Sequence, residues 1–181
     1  MERNVTLIAL FAALIAILGL IPKFTLASGI PITAQSMGIM LCGTVLGARR
    51  GALAVILFLM LVALGLPLLA GGRGGLGVFT TPWAGFLFGF PVAAFVAGWV
   101  MERTRSENIA IYASIAALVG GIGALYAVAI PYYMVMKPAG LVESVVTMLP
   151  FMPGDLVKVA FTGYITAALY ELRPSAVLSR S

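Results

Sequence analysis

The stretch "VTLIALFAALIAILGLI", Val5 to Ile21, is an unbroken apolar run of 17 residues. A helix that crosses the hydrocarbon core of a bilayer needs about 20 mostly apolar residues. The apolar region of a secretory leader is shorter, about 7–15 residues. Val5–Ile21 is therefore read as a retained first membrane span, although "LAS" at Ser28 resembles a cleavage site.

The rest of the chain repeats this character. Of its 181 residues 62% are hydrophobic and only 9% charged, with a mean hydropathy of +1.12. Soluble domains carry about 25% charged residues, so there is too little polar surface here to coat a water-soluble globule. The apolar segments are long and continuous, unlike the short alternating strands of a lipid-facing barrel. The expected fold class is an all-α integral membrane protein, a bundle of six transmembrane helices in a single membrane domain. Spans are expected at about residues 5–21, 34–48, 52–69, 78–100, 109–135 and 150–170, the second being short and the last broken near Pro150 and Pro153.

Charge orients this bundle. Six spans put both termini on one side, together with Arg3, Arg49, Arg50, Arg103, Arg105, Arg173 and Arg180. The other side holds Lys23, Arg73 and Lys137, with Lys158 nearby. Short cytoplasmic loops carry the Lys/Arg excess, so both termini and "ARRG" are placed in the cytoplasm of a prokaryotic cell, with the protein multi-pass in its plasma membrane. The net charge of +5 is scattered, which fits topology rather than nucleic-acid binding. There is no His, one Cys (Cys42) and no carboxylate cluster, so no metal site is expected. No stretch matches GxxxxGK[ST], so energy for uphill movement has to come from a partner or an ion gradient. With no Ser or Cys beside a base, the chain is not read as an enzyme.

A few stretches hold the polar residues that such a protein can use. "PGDLVKVAF", Pro153–Phe161, puts Asp155 and Lys158 three residues apart in an apolar run, on one face of a helix. Charges inside a span are costly. The pair is either an interfacial ion pair, with Lys snorkelling and Asp capping, or a recognition pair for a polar ligand. "GGRGGLG", Gly71–Gly77, fits GxGxxG at Gly72, Gly74 and Gly77 but lacks the strand before it and the acid after it. It reads as a tight outward loop, whose Arg73 meets an anionic ligand or a lipid phosphate. In "TTPWAGFLFGF", Thr80–Phe90, Gly85 and Gly89 permit close helix packing, and Trp83, Phe86 and Phe90 share a face. That face is either an interfacial aromatic belt or the wall of an apolar pocket. Thr33 and Gln35, in "GIPITAQ", bond a ligand or cap the second helix. In the first span Ala9 and Ala13, or Ala12 and Ala16, make small-xxx-small pairs suited to helix packing.

The succession "PIT-Q", "ARRG", "GLP", "GG-GG-G", "TTPWAGFLFGF" and "PGDL-K" resembles the BioY family, the biotin-binding S components of energy-coupling factor (ECF) transporters. The likeness is densest over residues 30–98 and 149–161 and weak in the fifth span. It implies six membrane helices with cytoplasmic termini, and a biotin pocket near the outer face lidded by the loop at about Pro22–Thr33. It also implies that Asp155 and Lys158 contact biotin's polar end. With the candidates Gln35, Arg73, Thr81, Trp83 and Phe86, these complete the expected substrate-binding set. Biotin is then the transported ligand, not a cofactor. The implied partners are a transmembrane coupling protein and two cytoplasmic ATPases, docked through small residues of the first helix (Ala9 and Ala13, or Ala12 and Ala16). The family commonly reads close to "GPTGGYLLGF" where this chain has "TPWAGFLFGF", so Trp83 is expected to narrow the pocket or turn its ring to lipid. The alternative within the same class is an S component for another small vitamin.

Overall fold

The computed structural model describes residues 2–21, 24–25, 31–104 and 107–180. Most of the expected lid, Pro22–Thr33, lies outside the described residues, as do Lys23 and Arg105. Within that loop only the pairing of Phe24–Thr25 with Pro31–Ile32 is described, as a two-residue antiparallel ladder.

Eight α-helices follow in order among the described residues: α1 (Glu2–Leu20), α2 (Gln35–Leu46), α3 (Ala48–Ala63), α4 (Ala84–Arg103), α5 (Ile109–Leu118), α6 (Leu125–Met136), α7 (Leu141–Met148) and α8 (Met152–Leu172). α5 runs into α6 through a π turn, Val119–Ala124, and α7 into α8 through a 3₁₀ turn, Leu149–Phe151. The eight helices therefore make six rods. Four of these, 2–20, 84–103, 109–136 and 141–172, are long and apolar enough to cross a membrane. α2 and α3, of 12 and 16 residues, are shorter.

The boundaries of the middle rods differ from the expected 52–69 and 78–100. Arg49 and Arg50, read as a loop, lie in the first turn of α3. The rod stops at Ala63 because "GLPLLA" brings a Gly and a Pro. α4 begins only at Ala84, after a 3₁₀ turn at Leu76–Thr80. Glycine explains both tight corners. Gly47 alone separates α2 from α3, at φ 85°, a region that Cβ-bearing residues avoid. Gly71, Gly72 and Gly75, all at positive φ, turn the loop after α3, and the Leu69–Arg73 bridge closes it.

α2 is the central helix. Ten of its residues, from Gln35 to Leu46, are buried, and it packs against α1, α3, α4 and α8. This accounts for its shortness: a helix wrapped by others need not match the bilayer itself. Close approach is built from small residues. A Cβ at Gly43 would lie 2.4 Å from the Ala94 carbonyl oxygen, and one at Gly98 would lie 2.3 Å from the Ala48 nitrogen. Gly85 and Gly89 seat α4 on α6 in the same way, against Ala129 and Leu125.

The chain's two ends meet. The Arg3 guanidinium donates to the Ser175 carbonyl, and the segment after α8 folds back under the bundle. There Val177 is fully buried and the Ser179 hydroxyl donates to the Thr44 carbonyl at the end of α2. The start of α2, and Asp155 and Lys158 in the first two turns of α8, lie at the opposite end.

Candidate ligand-binding site

At that opposite end a cavity of about 610 Å³ opens between α2, α4, α6 and α8. Its volume falls within the usual range for small-molecule sites. The wall is mainly apolar, with Leu69, Val78, Leu87, Phe90, Leu125 and Phe151 contributing.

The polar groups converge on one place. α8 starts at Met152, with Pro153 in its first turn where a missing N–H costs nothing. Asp155 and Lys158 then project from one face, with side chains only 7% and 12% exposed. Lys158 Nζ donates to Asp155 Oδ1 at 2.8 Å and to Ser36 Oγ at 2.8 Å. The Tyr126 hydroxyl donates to Asp155 Oδ2 at 2.8 Å. Ser36 comes from the first turn of α2 and Tyr126 from α6, so three rods supply four side chains. A buried pair held by further hydrogen bonds meets the condition under which burying charge is tolerable. Each ion keeps capacity for a ligand: the carboxylate has lone pairs beyond the bonds it accepts, and the ammonium has a third proton.

All seven expected substrate-binding residues, Asp155, Lys158, Gln35, Arg73, Thr81, Trp83 and Phe86, line this cavity. Their roles separate. Gln35 lines it, but its amide is engaged: Nε2 donates to Leu68 O at 2.8 Å and Ile15 O at 3.3 Å, and Oε1 accepts from Ala70 N at 2.9 Å. It does not cap α2, whose N-cap is Ala34 with no side-chain bond. Gln35 instead ties the glycine loop to α1 and α2. Arg73 Nε donates to Ala70 O at 3.3 Å, and Thr81 donates to Val78 O at 3.0 Å. Both brace the mouth. Trp83 is 41% exposed and packs on Tyr133 (5.2 Å between centroids) and Phe151 (5.8 Å). Its ring therefore walls the cavity mouth. Phe86 stands edge-on to Tyr126 at 5.6 Å.

Ser36 and Tyr126 are the site residues that sequence reasoning missed. A Ser beside Gln35 and a Tyr in an apolar helix carry no local signal. Tyr126 follows the π turn Val119–Ala124, whose extra residue rotates the helix after it. The glycines in "VGGIGA" are the one hint of that turn.

On the first helix, Ala12 is 2% exposed, whereas Ala16 is half-buried and packs against the core. Ala9 and Ala13 are exposed. Of the two pairs expected for docking, Ala9 and Ala13 are thus the more exposed.

Comparison with known proteins bears on this geometry. The family model described as the BioY family matches residues 2–175. A biotin transporter BioY from Rhodobacter capsulatus is 53% identical over 189 residues, covering 99% of this chain and 100% of that one. Another from Rhizobium etli is 44% identical, covering 96% and 97%. Among solved structures, the 2.1 Å crystal structure of the S component for biotin from an ECF-type ABC transporter superposes with a TM-score of 0.85. It shares 31% identity, over 94% of this chain and 92% of that one. The chain belongs to the BioY family.

Proposed function

We propose that this protein is the membrane subunit that captures biotin for uptake, with the Asp155–Lys158 cluster as its recognition centre. The observation that carries the reading is a buried, neutral acid–base pair facing an apolar cavity in a chain of this family. Biotin's ureido ring offers two N–H donors and one carbonyl acceptor. A carboxylate and an ammonium on one face can satisfy both kinds of group. Its thiophane ring and aliphatic chain need apolar walls, which Leu87, Phe86, Phe90 and Phe151 supply.

Orientation and partners belong to the same reading. The arginine-rich end that gathers both termini faces the cytoplasm, which turns the cavity to the outer face. Energy comes from a transmembrane coupling protein and two cytoplasmic ATPases, with exposed Ala9 and Ala13 of α1 as the docking stripe. Copurification of those subunits with the tagged chain is the measurement for that part.

Isothermal titration calorimetry on purified protein tests the centre. Asp155→Asn and Lys158→Ala should each weaken biotin binding by two orders of magnitude or more, since each strands a buried charge or its ligand partner (about 3–5 kcal/mol). Wild-type affinity in both variants would remove the pair from recognition. A thermal-shift screen of water-soluble vitamins separates biotin from another small vitamin, because at equal concentration the tighter ligand stabilises the folded state more.

A further inference from the structure

A second cavity, of about 420 Å³, opens at the end of the bundle that carries both termini. α3 and α4 frame it, with Leu178 of the folded-back tail at its base. Its polar lining is Arg49, Arg50 and Glu102; its apolar lining includes Phe95 and Trp99. Glu102 is engaged, since its Oε1 accepts from the Ala48 nitrogen at 2.9 Å. Among the described residues neither Arg49 nor Arg50 is ion-paired with an acid, and Arg50 Nη1 donates to the Leu46 carbonyl at 3.5 Å. A third arginine, Arg103, stacks its guanidinium 4.4 Å from the Trp99 ring centre. Phe95 and Trp99 are 42% and 44% exposed on a membrane-crossing helix. The cavity therefore opens toward lipid on its aromatic side and carries guanidinium groups without an acid partner on the other.

We infer that this cavity seats the headgroup of an anionic phospholipid in the leaflet at the termini-bearing end. Guanidinium groups bind phosphate bidentately. Basic pockets between membrane helices take such headgroups, and an interfacial Trp marks the depth at which they lie. The aromatic wall separates a lipid from a free phosphate ion, which would use only the arginines. Glu102 weakens the site without cancelling it, because its one carboxylate, which also accepts from the Ala48 amide, faces two guanidinium groups. The inference is independent of the biotin reading: it concerns the other end and another ligand.

The test is thermal stabilisation of the purified full-length protein in neutral detergent. The titrants are dioctanoyl phosphatidylglycerol, dioctanoyl phosphatidylcholine and inorganic phosphate. Phosphatidylglycerol should stabilise at lower concentration than the other two. Arg49→Gln and Arg50→Gln should each weaken its apparent affinity roughly fivefold, and the double variant about 25-fold. Biotin binding, measured on the same samples as a control for folding, should not change. Equal response to the two lipids, phosphatidylglycerol affinity untouched in both single variants, or inorganic phosphate acting as strongly as the lipid would each overturn the inference. Loss of a copurifying coupling subunit with lipid preference intact would also overturn it, assigning the arginines to a protein partner.

Discussion

The two ends of the bundle each place a carboxylate beside basic groups, and they use it in opposite ways. Asp155 is buried in the first turn of α8, paired with Lys158 and bonded to Tyr126. Glu102 sits exposed at the end of α4 and accepts from the first amide of α3, with Arg49 and Arg50 in the same cavity but not ion-paired to it. At the first end charge is neutralised inside the protein, so an uncharged polar group can be exchanged against it. At the other, positive charge is left open to whatever lies outside. Burial decides the difference: a charge in a low-dielectric site has to be matched, whereas one at the interface can stay unmatched in headgroups and water.

The largest expected effect breaks the matched end. Lys158→Met leaves Asp155 buried without its cation, which costs about 3–5 kcal/mol of folding stability. Adding Asp155→Asn removes the stranded charge and should recover most of that loss, while biotin binding stays absent in both variants. Unfolding midpoints beside calorimetric titrations check this. A single variant as stable as wild type would mean the pair is solvated, and the contrast between the ends would fail.

A finer effect tests how the matched end yields to its ligand. Tyr126→Phe keeps the edge-on contact with Phe86 but removes the donor to Asp155 Oδ2. A hydrogen bond to a charged group is worth about 1.5–3 kcal/mol, so the empty protein should lose stability near the low end of that range. A ligand N–H can take the vacated oxygen, so biotin affinity should weaken by less than that bond, under about tenfold. Affinity that falls as far as in Asp155→Asn would show that Tyr126 touches biotin itself.

How far the sequence disclosed these ends follows from the range of the interactions. Asp155 and Lys158 stand out because two charges in an apolar run are rare, and their spacing puts them on one face without knowledge of the fold. Ser36 lies 122 residues from Lys158 and 119 from Asp155. Only the packing of α2 on α8 joins them, and no local pattern encodes that. Arg49 and Arg50 misled for a related reason. Charge next to glycine reads as a loop, yet Gly47 at φ 85° turns the chain in a single residue and lets α3 start at Ala48. The alternatives left open for Gln35, ligand contact or helix cap, also missed its role. Its partners are backbone groups of Ile15, Leu68 and Ala70, which no sequence reading of the amide could choose. Helical class and the membrane, by contrast, are properties of composition summed over whole segments, and they survive errors of several residues at each boundary.

The smallest expected effect lies at the open end. Glu102→Ala removes the acceptor for the Ala48 amide and a negative charge from the positive pole of α3. Caps and helix dipoles are each worth up to about 1 kcal/mol at exposed sites, so stability should fall by about 1 kcal/mol, with biotin affinity unchanged because the cavity is at the other end. The same substitution deletes the one carboxylate in the arginine-lined cavity. Phosphatidylglycerol should therefore bind tighter to Glu102→Ala than to wild type even as the fold weakens. Stability and lipid affinity moving in opposite directions would separate the two roles of this end. A parallel loss of both would mean that Glu102 positions the arginines, and that the open end is held together by its acid as the buried end is.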